Sequence, residues 1–86
     1  MQSADPNGPT PTAPAADLDC RGLLCPLPVL KTREALESLA QGEVLKVVTT
    51  DPASDLDMAA FSSTSGHPIV ARLRDGEELV FFLRKA

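Results

Sequence analysis

Eighty-six residues with no tryptophan, no tyrosine and only three phenylalanines allow one small domain with an aliphatic core, because a chain this short buries only a modest share of its surface. A formal net charge of −4 argues against binding nucleic acid through its phosphates, which takes clustered Lys and Arg, and no apolar run is long enough to span a bilayer. The N-terminus lacks the basic start and apolar stretch of a secretory signal, and Cys20 and Cys25 fit neither a disulfide framework nor a zinc ribbon, so the expected setting is the cytoplasm, where thiols stay reduced.

Residues 1–16 hold Pro6, Pro9, Pro11 and Pro14 and, after Met1, no aliphatic side chain larger than alanine. They cannot bury enough apolar surface to offset chain entropy and are predicted to be a disordered tail. The folded domain is expected over 17–86. A short strand at 17–20 ends at Arg21-Gly22, where Gly22 permits a tight turn. Cys25-Pro26-Leu27-Pro28 then opens a helix predicted over 26–40, with Gly42 as its C-cap. At 100° per residue, Val29, Thr32, Ala35, Leu36, Leu39 and Ala40 share its apolar face, while Leu27 and Leu30 fall among Lys31, Glu34, Glu37 and Ser38. Two leucines on the polar side, one turn from the thiol, are candidates for partner docking.

Residues 44–50 read as the second strand, with Leu45, Val47 and Thr49 facing inward. Asp51-Pro52 has the chemistry of a helix start, with an N-cap acid before a proline at N1. The second helix runs to about Thr64, buries Met58 and Phe61, and ends at Gly66. Ile69, Ala71 and Leu73 alternate with Val70, Arg72 and Arg74, and Leu79, Phe81 and Leu83 alternate with Val80, Phe82 and Arg84. Asp75-Gly76 between these runs signals a hairpin. The order β-α-β-α-β-β makes an α+β two-layer sandwich, a four-stranded sheet with both helices on one face. A right-handed crossover starts the first helix at the C-terminal edge of the first strand, so Cys25 is expected at an accessible rim.

The thiol is therefore placed where a helix begins. A helix N-terminus carries roughly half a positive charge and unpaired N–H groups, which lower a cysteine's pKa. Pro26 suits N1, and Pro28 is tolerated in the first turn. Leu27 and Val29 are then the nearest N–H groups that could point at the sulfur, and Arg21, Lys31 and Arg33 are the basic residues able to add positive potential. Serine, threonine, aspartate or asparagine would cap better than cysteine, so Cys25 has a poor structural excuse. Acyl-group chemistry needs an adjacent base, and His67, after the second helix, is expected at the far end of the sheet as a surface turn residue. Cys20, Cys25 and His67 are too few to close a zinc site, and Gly22 stands outside any glycine-rich phosphate loop. What remains is chemistry that one sulfur performs without a cofactor, such as accepting a sulfane sulfur as Cys-S-SH and passing it on.

The run Asp19-Cys20-Arg21-Gly22-Leu23-Leu24-Cys25-Pro26-Leu27-Pro28 resembles the signature of the TusA/SirA family of small sulfur carriers. Arg33, Asp51-Pro52, Asp57 and Gly66-His67 also fall where that family's pattern places them, and the likeness covers 17–86. The resemblance implies a mixed sheet of order 1-2-4-3 with the fourth strand antiparallel to the others, and a persulfide on Cys25. It implies loading by a sulfur-donor protein, a cysteine desulfurase or rhodanese-like partner, and delivery to an acceptor protein in tRNA thiolation, molybdenum-cofactor biosynthesis or sulfur oxidation. Some members carry a further cysteine late in the second helix, where this chain has Ser62 and Ser63. Gly22, Pro26 and Pro28 are read as structural parts of the motif, Arg21, Leu27, Leu30, Lys31 and Arg33 as possible docking residues, and Asp57 as a solvated helix residue outside the chemistry. Cys20 is read as a small buried residue closing its strand. The competing functions are a thiol redox switch cycling Cys20 and Cys25, and a regulatory binding module. A relay thiol must be exposed, which points to a monomer.

Overall fold

The computed structural model describes residues 13–86. The expected tail at 1–16 lies mostly outside them, but Ala16 already opens the first strand, one residue earlier than expected, and the Ala15 N–H donates to the Val44 carbonyl at 2.8 Å. The elements are β1 (Ala16–Cys20), α1 (Leu27–Glu37), β2 (Val44–Thr49), α2 (Ser54–Ser65), β3 (Ile69–Asp75) and β4 (Glu78–Arg84). The sheet runs β1-β2-β4-β3, with β1 parallel to β2 and β4 antiparallel to both of its neighbours.

Two strands supply the floor of the core. Leu45, Val47 and Thr49 of β2 are buried, as their alternation predicts, and pair across to Leu83, Phe81 and Leu79 of β4, also buried. Leu36 of α1 and Met58 and Phe61 of α2 close the same apolar cluster from one side of the sheet. Each such side chain removed from water stabilises the fold by roughly 1.5–3 kcal/mol. Cys20 completes the cluster with no exposed surface.

α1 is shorter than its periodicity suggests. Pro28, Thr32 and Leu36 form its buried stripe and Val29, Ala35 and Leu39 pack at the margins, but Ala40 is exposed because the helix ends at Glu37. The Ser38 and Leu39 N–H groups reach back only three residues, to Ala35 and Leu36, tightening the chain out of the helix. Gly42 does not cap α1. It has φ +89° in the following turn, where its N–H bonds the Lys85 carbonyl. Lys85 supplies the cap instead, its ammonium reaching the carbonyls of Leu36 at 2.7 Å and Leu39 at 3.2 Å, where a cation also complements the helix dipole.

α2 begins at Ser54 rather than at Pro52, though Asp51 does cap the turn that leads into it: its Oδ1 accepts the Ala53 N–H at 3.0 Å and its carbonyl the Ser54 N–H. Gly66 ends the helix in the left-handed conformation, φ +86°, as predicted. In β3 the simple alternation fails. A bulge between Ile69 and Ala71 slips the register, so Ala71 pairs with Phe82 and Leu73 with Val80 on the open face, while Arg72 pairs with Phe81 on the helix side. Arg72 there bonds Asp55 of α2 at 2.8 Å, and Leu73 is left 57% exposed.

Replacing Lys85 with Met keeps its stem but removes the cap. The expected result is a loss of about 1–2 kcal/mol in urea denaturation, with an unchanged m-value.

Candidate functional site

The site is built where two parallel strands end side by side. β1 and β2 both deliver their chains to one edge, so the loop at 21–26 lies beside the loop at 50–53. The second loop holds the first. The Gly22 N–H donates to the Thr50 hydroxyl at 2.9 Å, with Gly22 at φ +78°, a conformation that favours glycine. The Cys25 N–H donates to Asp51 Oδ2 at 2.8 Å. Asp51 thus spans the cysteine loop and the start of α2 with its two oxygens, and these two donors hold its carboxyl below the usual carboxylate range.

Cys25 stands exposed at this rim, as expected, but not in the electrostatic setting expected. Pro26, not Cys25, is the residue at the helix boundary, Leu27 is N1 and Pro28 is N2. The Leu27 N–H is taken by the Leu24 carbonyl at 2.9 Å instead of pointing at the sulfur. The thiol's pKa is raised, not lowered. Hydrogen bonding to the Asp57 carboxylate is the main cause, followed by partial desolvation and the negative charges of Asp57 and Asp51. Asp57 comes from the first turn of α2, and the exchange of two helix-end effects for two carboxylates reverses the sign of the sequence expectation.

A groove of about 260 Å³ runs from the thiol along the crease between the helices. Cys25, Val29 and Arg33 line one side at i, i+4 spacing, and Asp57, Phe61 and Thr64 line the other. The Arg33 guanidinium lies over the Phe61 ring, 6.0 Å from its centroid, and His67 packs on that ring at 5.9 Å. His67, expected as a surface turn residue, does not line the groove; it is half-buried against Phe61, and its Nδ1 accepts the Ala86 N–H.

The other motif residues divide clearly. Gly22 and Pro28 are structural, the latter buried, and Pro26 is exposed beside the thiol. Arg21 is turned away into a pair with Glu78 at 2.7 Å and Asp19 at 3.3 Å, so it lends no free charge to the site. Lys31 is exposed, and its charge acts on Cys20 rather than Cys25. Leu27 and Leu30 are 44% and 43% exposed, and Leu24, absent from the expected set, is 69% exposed at the same three-residue spacing. Asp57, expected as a solvated helix residue outside the chemistry, is instead half-buried on the wall of the groove that Cys25 lines. Its signal was its place one turn before Phe61, next to the buried Met58, which brings it to the edge of α2's packed face. Cys20 is sealed in the core, where burial pushes its thiol pKa up. Among the described residues no group of three or more His, Cys, Asp and Glu could hold a metal ion.

Two outcomes follow. Iodoacetamide is expected to label Cys25 alone in the folded protein and both cysteines in denaturant, with the native rate–pH curve centred above that of an unperturbed thiol, read by mass spectrometry. Asp51 has a depressed folded-state pKa, so its contribution to stability is fully present above the unfolded carboxyl value and lost as pH falls through the folded one. Asp51→Ala is therefore expected to lower the urea midpoint at neutral pH and to converge with the parent protein on acidification.

The geometry agrees with what the chain resembles. The family profile described as Sulfurtransferase TusA matches residues 16–85. The sulfur carrier protein TusA of Allochromatium vinosum is 36% identical over 81% of this chain and 92% of its own length. The YrkF protein of Bacillus subtilis is 41% identical over 79% of this chain, which spans only 37% of that longer relative. The crystal structure of a SirA-like protein from Desulfitobacterium hafniense superposes with a TM-score of 0.71 at 22% identity, over 80% of this chain and 95% of that one, a likeness of fold. The chain belongs to the TusA family of sulfur carriers.

Proposed function

We propose that Cys25 carries sulfane sulfur as a persulfide, taken from a donor protein and passed to an acceptor protein. The observation that carries this reading is an exposed thiol fixed by its backbone to Asp51, with the chain's other cysteine buried in the core. Loading is a thiol–persulfide exchange. Sγ of Cys25 attacks the outer sulfur of the donor's persulfide, a new S–S bond forms, the donor's S–S bond breaks, and the electron pair leaves on the donor's inner sulfur. The proton lost by Cys25 ends on that departing thiolate, so nothing is oxidised or reduced overall.

A cysteine desulfurase or a rhodanese-like protein has the chemistry to supply such a sulfur. The acceptor serves tRNA thiolation, cofactor biosynthesis or sulfur oxidation. The reaction takes place in the cytoplasm, on a monomer over residues 17–86, and Leu24, Leu27 and Leu30 form the apolar surface that meets the partners. A switch cycling Cys20 and Cys25 is disfavoured by the burial of Cys20, which keeps it from meeting the exposed thiol without local opening.

Incubation with a cysteine desulfurase and cysteine is expected to add the mass of one sulfur to Cys25, removable by reductant. Cys25→Ser is expected to abolish uptake and Cys20→Ala to retain it. Loss of two hydrogens without sulfur gain would point to the switch. Leu27→Glu is expected to slow loading by the protein donor several-fold while leaving iodoacetamide labelling unchanged, and equal losses in both assays would remove Leu27 from the docking surface.

A further inference from the structure

The charges around Cys25 do not balance within this chain. Arg21 is committed to Glu78 and Asp19, Arg72 to Asp55, and Lys85 to the end of α1. The two oxygens of Asp51 are filled by backbone N–H groups. Asp57, half-buried on the groove wall, has no ion pair and no cationic hydrogen-bond partner among the described residues. Arg33 lines the same groove but lies over Phe61, two helical turns from Cys25, and makes no ion pair with Asp57. A reactive sulfur that must shed a proton thus faces an unmatched negative charge. Among the described residues the one cation on the groove wall is Arg33, and it is held over the Phe61 ring rather than paired with that carboxylate.

We propose that Asp57 is the specificity-determining residue of this site: it selects sulfur donors and acceptors that bring a cationic side chain beside the reacting sulfur, and pairing with that cation frees Cys25 to attack. The inference rests on the carrier reading and names the chemistry of the partner. In free solution the thiol stays protonated and slow toward incidental electrophiles, because a thiolate beside an unpaired carboxylate is disfavoured. A Lys or Arg from the partner, placed in the groove between Asp57 and the sulfur, reverses that local field. The exposed face of Cys25 and the open crease leave room for such a side chain to enter. One unit charge a few ångströms away near a protein surface changes the rate by about three- to tenfold at low salt.

Small disulfides test this without any protein partner. Sγ attacks one sulfur of the disulfide, the S–S bond breaks, the leaving half departs as a thiolate and takes up the proton, and a mixed disulfide remains on Cys25. The full chain is reacted at low salt with cystamine (cationic), 2-hydroxyethyl disulfide (neutral) and dithiodipropionate (anionic), and rates are divided by those of N-acetylcysteine amide to remove intrinsic reactivity. The expected normalised order is cationic, neutral, anionic, with about a three- to tenfold step between the first two. Asp57→Asn is expected to flatten the series and raise the neutral rate, Asp57→Glu to keep the preference, and high salt to weaken it in the parent protein. A variant damaged in folding would instead change all three rates together and lose its urea transition. An unaltered charge preference in a folded Asp57→Asn overturns the proposal. If that protein still gains sulfur on Cys25 from the desulfurase, the carrier reading survives the failure. If the preference depends on Asp57 but the parent protein takes up no sulfur, the carrier reading fails and the charge selectivity stands.

Discussion

One carboxylate holds the working end of this molecule together. Asp51 accepts the Cys25 N–H with one oxygen and the Ala53 N–H with the other, so the cysteine loop and the start of α2 are fixed to a common point. Parallel pairing of β1 and β2 makes this possible, because it delivers both loops to the same edge of the sheet. The Thr50 hydroxyl adds a second tie through Gly22. With α2 anchored in this way, its first turn brings Asp57 to the sulfur and its next turn brings Phe61 to the groove. Loss of the Asp51 link would release the relation between thiol and carboxylate before it disturbed the core, which rests on Leu45, Val47, Phe81 and Leu83.

The electrostatics and the packing pull in different directions at this edge. Burial of Met58 and Phe61 stabilises α2 against the sheet, and that docking forces Asp57 into the neighbourhood of Cys25. A sulfur carrier needs a nucleophile during transfer, yet between transfers an ionised thiol is exposed to oxidation. A carboxylate beside the sulfur favours the protonated form and so suits the waiting state.

Local features of the sequence read well, and features set across the fold did not. The alternation in β2 and β4 identified the inward residues because each side chain in a strand interior has only two faces to choose between. The prolines around Cys25 marked a helix start, and the β-α-β order placed it at a rim. The direction of the thiol's pKa was not legible, since it depends on Asp51 and Asp57, 26 and 32 positions away along the chain, brought close by the crossover. Arg21 looked like a free cation beside the motif until β4 supplied Glu78. The bulge at Ile69/Ala71 has no sequence mark of its own, and it put Leu73 on the open face and Arg72 on the helix side. Lys85, next to the last residue, capped a helix whose end lies more than forty residues earlier, a contact that only tertiary structure creates.

Cys20 lies only five positions from Cys25, yet the core encloses it completely. On the proposed carrier role, cargo on the outer sulfur would have no second thiol within reach to release it by forming an internal bridge. Discharge would then be a bimolecular event, its timing set by how often suitable recipients arrive rather than by a clock inside the domain.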